Sequence, residues 1–259
     1  MNRLSELSTI VSTTDDFKIR ARVLNFEVAW RLCVQNRDEL YRILDEVTTV
    51  ANIEIIESYE SLTQEIYRRL VNHLGTIFLL KELIEGEMHH LKNIDREIIE
   101  FSSITGKLFG NNRNSHFVVK LRNHVIHNRP FTVDIQSLMN TEHELMKSVV
   151  ILDCEKLTQL GDWDPLAREY MKENFPYINL KECLDEYHSV QEVLYTWFIS
   201  RLNEKYSKEI SRCKVLEDEY GDLINKEKEK VKAMSLKELS NLPRIEEQGS
   251  TGFSITKVR

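Results

Sequence analysis

Glycine and proline are scarce in this chain, eight and four among 259 residues. Leucine, glutamate, lysine and isoleucine dominate instead, a balance that disfavours turn-rich sheets and favours long helices. Cysteine is equally sparse: Cys33, Cys154, Cys183 and Cys213 lie far apart and form no C-x-x-C pair. With no secretory h-region near the first residues, they read as reduced thiols of a cytoplasmic protein. No apolar run approaches the roughly 18 residues that a membrane-spanning helix needs. The nearest, Ile77 to Leu80, is broken by Lys81 and Glu82, so no membrane partner is expected. Also missing are a Gly-rich phosphate loop, a Walker lysine and a G-x-S-x-G elbow, which removes the commonest nucleotide-hydrolysing and serine-hydrolase chemistries. Glu87 and His90 form a single Glu-x-x-His spacing. A bundled di-iron site needs a second copy and two further glutamates, so neither metal nor cofactor is expected.

Acidic residues are missing from one particular place. The formal net charge is −7, which excludes a uniformly basic nucleic-acid coat. Yet no Asp or Glu occurs from Phe101 to Val133, where Lys107, Arg113, Lys120, Arg122 and Arg129 stand with His116, His124 and His127. A local positive field on an acidic body would draw phosphates to that stretch.

At its centre is Phe117-Val-Val-Lys-Leu-Arg122-Asn123-His124-Val-Ile-His127, ended by Pro130. As a helix turning about 100° per residue, it gathers Val118, Val119, Val125 and Ile126 on one apolar face with Leu121 on the flank. Arg122 then falls in the middle of that face. A guanidinium cannot be buried there without partners, so either a carboxylate waits opposite or the face lines a polar cleft. Asn123 and His127, four apart, stand one turn above the other on the edge of the same face.

The rest of the chain predicts a helical bundle. Helices are expected from Asp15–Asp16 through Leu44 with a break near Asn36 or after Val47, from about Ile53 to Leu91, and from Asp95 to Leu108. Ser115 is the expected cap of the motif helix. The β-branched runs Phe131–Ile135 and Ser148–Leu152 predict either a small hairpin or segments flanking a helix over 135–146. Gly161-Asp-Trp-Asp-Pro165 is turn chemistry leading into a helix. Asn179 opens a long run in which Leu184, Val190, Val193, Leu194, Trp197, Phe198 and Leu202 are expected inside. Residues 15–233 are expected as one helical domain with a C-terminal extension, and 234–259 as a disordered tail.

The Arg-Asn-x-x-x-His segment resembles the Arg-x4-6-His signature of the HEPN superfamily, all-α domains that include metal-independent ribonucleases; Asn directly after Arg is that motif's commonest form. The resemblance is firm over about 115–131 and looser across 15–200. It implies an all-α, HEPN-like helical bundle with a small β-hairpin insertion and a long C-terminal helix. It also implies an endoribonuclease, of toxin or phage-defence type, working as a homodimer on RNA such as tRNA or single strands, with an antitoxin or defence partner. In it Arg122 would stabilise the phosphorane, Asn123 would orient, and His127 would move protons. Lys120, His116, His124 and Arg129 are candidate substrate contacts, with His124 placed further round, toward the surface. Some HEPN domains accept AMP on a Tyr two residues past the motif His; here that position is Arg129.

Two other readings compete. One is a catalytically silent HEPN module that binds RNA or a protein. The other is a plain scaffold in which Arg122 pairs with a buried acid of the second helix, Glu54, Glu57 or Glu60, and His127 sits satisfied near the helix end.

Overall fold

The computed structural model describes residues 13–49, 52–90, 95–127, 133–140 and 145–233, together with Glu6, Thr9 and Ile10. The chain divides into two compact units, residues 18–207 and residues 1–17 with 208–259. Four helices lead: α1 (Asp15–Thr49), α2 (Asn52–His90), α3 (Asp95–Phe109) and α4 (Arg113–His127). A hairpin follows, β1 (Asp134–Asn140) and β2 (Leu145–Asp153), and then α5 (Cys154–Gln159), α6 (Pro165–Glu173), β3 (Tyr177–Asn179), α7 (Leu180–Lys205) and α8 (Ser207–Ala233). The fold is all-α with a small β insertion. No helix among the described residues is long and apolar enough to cross a membrane.

In the 18–207 unit, α1 buries Leu40, Ile43, Leu44 and Val47. Helix α2 buries Ile66, Leu70, Leu74, Ile77, Leu80 and Ile84, a three- and four-residue spacing that makes one continuous stripe. α1 runs unbroken through Asn36, one of the two places where a break was expected, and ends at Thr49, close to the other, after Val47. Around Asn36 its solvent side carries Asp38 and Glu39, and its inner side runs from Cys33 through half-buried Arg37 to Leu40.

The β-branched runs form the hairpin and not a helix. Ile135 faces Val150, and Ser137 faces Ser148, in antiparallel register. A third strand, not anticipated, pairs Ile178 with Leu152. Both ends of this sheet are fastened by caps. Asp153 Oδ1 accepts from the amides of Glu155 and Lys156 to start α5, and Asn179 caps α7 in the same way. On α7 the buried positions are Leu180, Cys183, Leu184, Tyr187, His188, Gln191, Leu194, Phe198 and Leu202. Val193, expected inside, is exposed, because it falls one residue off this stripe.

The other unit contains the first turn of α1 and most of α8. Arg212 grips Asp16 with two bonds, Nε to Oδ2 at 2.6 Å and Nη2 to Oδ1 at 2.8 Å. Along α8, Lys230 pairs with Glu227 and Lys232 with Glu229 at i,i+3 spacing. The expected tail, 234–259, lies outside the described residues.

Candidate functional site

The motif helix α4 starts on Asn112, whose Oδ1 accepts the Ser115 amide at 2.9 Å. Ser115, the expected cap, is instead the third helical residue. The helix packs on α6, α7 and α2, and its buried residues are Asn114, Ser115, Phe117, Val118, Leu121, His124 and Val125. The inner face is thus centred on Leu121, and Ile126 is 42% exposed. Arg122 therefore does not lie mid-face as expected: it sits about 100° round from Leu121, on the flank toward α2. The sequence pattern misled because the α6 side of the bundle, which selects the face, lies some forty residues further on.

That flank gives Arg122 an unusual setting. Its guanidinium carbon lies 3.5 Å from the centroid of the Phe78 ring on α2, a close cation–π stack. Nη1 donates to Asn123 Oδ1 at 3.0 Å, and Nε is buried with no hydrogen-bond partner. Among the described residues no carboxylate is within ion-pair distance of Arg122. Glu60, one of the suspected acids, is exposed and accepts from Gln64 Nε2; the side chains of Glu54 and Glu57 lie outside the described residues. With its oxygen turned to Arg122, Asn123 presents its amide NH₂ elsewhere, as a donor.

The other predicted residues divide into three groups. His124 is the correction: it is 2% exposed, its ring 4.5 Å from that of Trp163. Burial pushes its pKa below the usual histidine value, with Asp162 partly offsetting this. It is unavailable as a surface contact. His116 and Lys120 are half-buried, one turn apart on a row that Asn123 and position 127 continue. His116 Nδ1 meets Asp164 Oδ2 at 3.1 Å. The helix includes position 127, but the His127 side chain and the whole of Arg129 lie outside the described residues.

Acids from elsewhere enter the acid-free window. Arg113 pairs with Glu169 at 2.9 Å and with Glu173, both on α6. Together with the Asp164 pair, they neutralise the first turn of α4 and leave Lys120 and Arg122 as its cations without a carboxylate within 4 Å among the described residues. Phe78, Trp163 and Asp164 escaped the sequence reading: Phe78 looked like one more core residue of α2, and the other two like turn residues.

No group of three or more His, Cys, Asp or Glu that could hold a metal occurs among the described residues; of the Glu-x-x-His spacing, the side chain of His90 lies outside them. Glu87 is buried and faces Arg22 at 3.6 Å. The four cysteines are buried and form no disulfide. Compared with protein-family models, curated proteins and solved structures, the chain matches none of them.

Proposed function

We propose that the protein is a metal-independent endoribonuclease acting at the Arg122–Asn123–His127 edge of α4. One observation carries this reading: Arg122 is held by the Phe78 ring and the Asn123 oxygen, with no carboxylate partner among the described residues. A guanidinium fixed in this way keeps its charge for an anion. In the reaction the RNA 2′-hydroxyl attacks the adjacent phosphorus. The 2′-O–P bond forms, the P–O5′ bond breaks, a base takes the 2′ proton and an acid supplies one to O5′. Arg122 would stabilise the extra phosphorane charge, and His127 would serve one proton transfer.

Each chain offers one motif histidine, since His124 is enclosed. Two proton transfers therefore favour a homodimer in which two such edges share one cleft. A toxin or phage-defence role, with an antitoxin or defence partner, rests on the HEPN resemblance alone.

The test is incubation of the purified protein with single-stranded RNA and tRNA in EDTA. Cleavage is expected to leave 2′,3′-cyclic phosphate and 5′-hydroxyl ends. Arg122→Ala should reduce the rate roughly 10²–10³-fold and His127→Ala roughly 10²–10⁴-fold, with circular dichroism unchanged. Complete loss of cleavage in EDTA, or an Arg122→Ala variant as active as the parent, overturns the proposal. Binding of RNA without cutting favours the silent module.

A further inference from the structure

A cavity of about 290 Å³ lies in the 18–207 unit, between α2, α3, α4 and α7. Its walls are largely apolar: Leu80 and Ile84 from α2, Phe101 and Phe109 from α3, Val119 from α4 and Leu194 from α7. Closely packed interiors do not ordinarily leave such a space. It is about twice the 150 Å³ that encloses benzene and near the lower limit of small-molecule sites.

One residue of the lining has an unanswered polar group. Ser115 is 2% exposed, and its Oγ has no hydrogen-bond partner. A buried hydroxyl left in that state is unfavourable unless a guest completes it. The ionisable residues of the lining other than Tyr187 come in compensated pairs, while Thr105 Oγ1 donates to the Phe101 carbonyl. His116 faces Asp164 at 3.1 Å, and Lys81 faces Glu85 at 3.4 Å. A guest therefore meets little net charge, and a charged one would have to give up hydration without gaining a counter-ion. Serine and histidine beside an aspartate invite a hydrolytic reading, which the geometry rejects. Adjacent residues on a helix do not face each other, and no histidine bonds to Ser115 Oγ.

We propose that this cavity binds an uncharged, mainly apolar molecule about the size of two fused rings, whose single hydroxyl or amide pairs with Ser115 Oγ. The site adjoins the Arg122 edge, since Lys81 in its lining stands 5.6 Å from the Phe78 ring on which Arg122 stacks, but the proposal does not depend on the ribonuclease reading.

Calorimetry on the full chain with 2-naphthol, 2-methoxynaphthalene and 2-naphthoate tests it. Saturable one-to-one binding of 2-naphthol is expected, with 2-naphthoate at least tenfold weaker. Ser115→Ala should weaken 2-naphthol about three- to tenfold and leave the methyl ether within about twofold. Val119→Trp and Leu194→Trp, which fill the space from opposite walls, should abolish binding of both. If neither tryptophan variant folds, the Ser115→Ala comparison still decides. The proposal is overturned by absence of saturable binding, by folded tryptophan variants that bind as well as the parent, by preference for the naphthoate, or by equal losses for alcohol and ether in Ser115→Ala.

Discussion

Arg122 shows how a charge is kept available in a protein interior. Stacking on an aromatic face is worth about 0.5–2 kcal/mol and leaves the charge itself uncancelled, whereas a carboxylate partner would neutralise it. A different pair of residues sets the acid response. His73 and His188 are buried with Nε2 atoms 2.8 Å apart, so one ring donates and the other accepts, both neutral. Burial holds both pKa values below the usual histidine range, with His188 also disfavouring a charge on His73 and the Arg37 guanidinium disfavouring a charge on either ring. As pH falls through about 6.5, the unfolded chain takes up protons that the folded pair refuses. Stability is therefore lost below that pH, by up to about 1.4 kcal/mol per pH unit for each ring. Urea midpoints measured between pH 7.5 and 5 should decline less steeply in a His73→Leu/His188→Leu variant than in the parent.

Single side chains fix where the elements begin. Asn112 starts α4, Asp164 starts α6 and Asn179 starts α7, each by accepting backbone amides in the following turn. Asp164 has a second task, since its Oδ1 caps α6 at Ala167 while its Oδ2 faces His116 on α4. Loss of a cap costs about 1 kcal/mol. Asn112→Ala and Asp164→Ala should each lower the unfolding free energy, measured by urea denaturation, by about that amount. Of the two, only Asp164→Ala should also move the His116 imidazole resonances in an NMR spectrum recorded at fixed pH, since only Asp164 touches that ring. Unchanged His116 resonances in Asp164→Ala would remove the aspartate from that role. The turn before α6 also has a backbone requirement: Gly161 and Asp162 adopt positive φ, 73° and 63°. This turn delivers Trp163 to the core against Phe117 and His124.

Across the whole molecule, net charge is negative and the basic window is partly cancelled by α6. RNA held by the motif edge would therefore release few counterions. With two or three phosphate contacts, log K against log salt should fall with a slope of about −1.4 to −2.1. Fluorescence anisotropy from 50 to 200 mM salt measures this. A slope near −5 would mean that a broader basic surface, and not the Arg122 edge, carries the nucleic acid.

The sequence by itself determined the helical class, the α2 stripe from Ile66 to Ile84, the start of α7 at Asn179, the turn that leads into the helix at Pro165, and the helical setting of Arg122, Asn123 and position 127. These are local consequences of spacing, turn chemistry and backbone hydrogen bonding, complete within a few residues. Only the tertiary structure decided that Leu121 and not Arg122 faces inward, that His124 is enclosed by Trp163, that Glu169 and Glu173 answer Arg113, and that Phe78 lies under the guanidinium. Each of these depends on segments about 40 or more residues apart. A helix presents several usable faces, and which one is buried is settled by what packs against it.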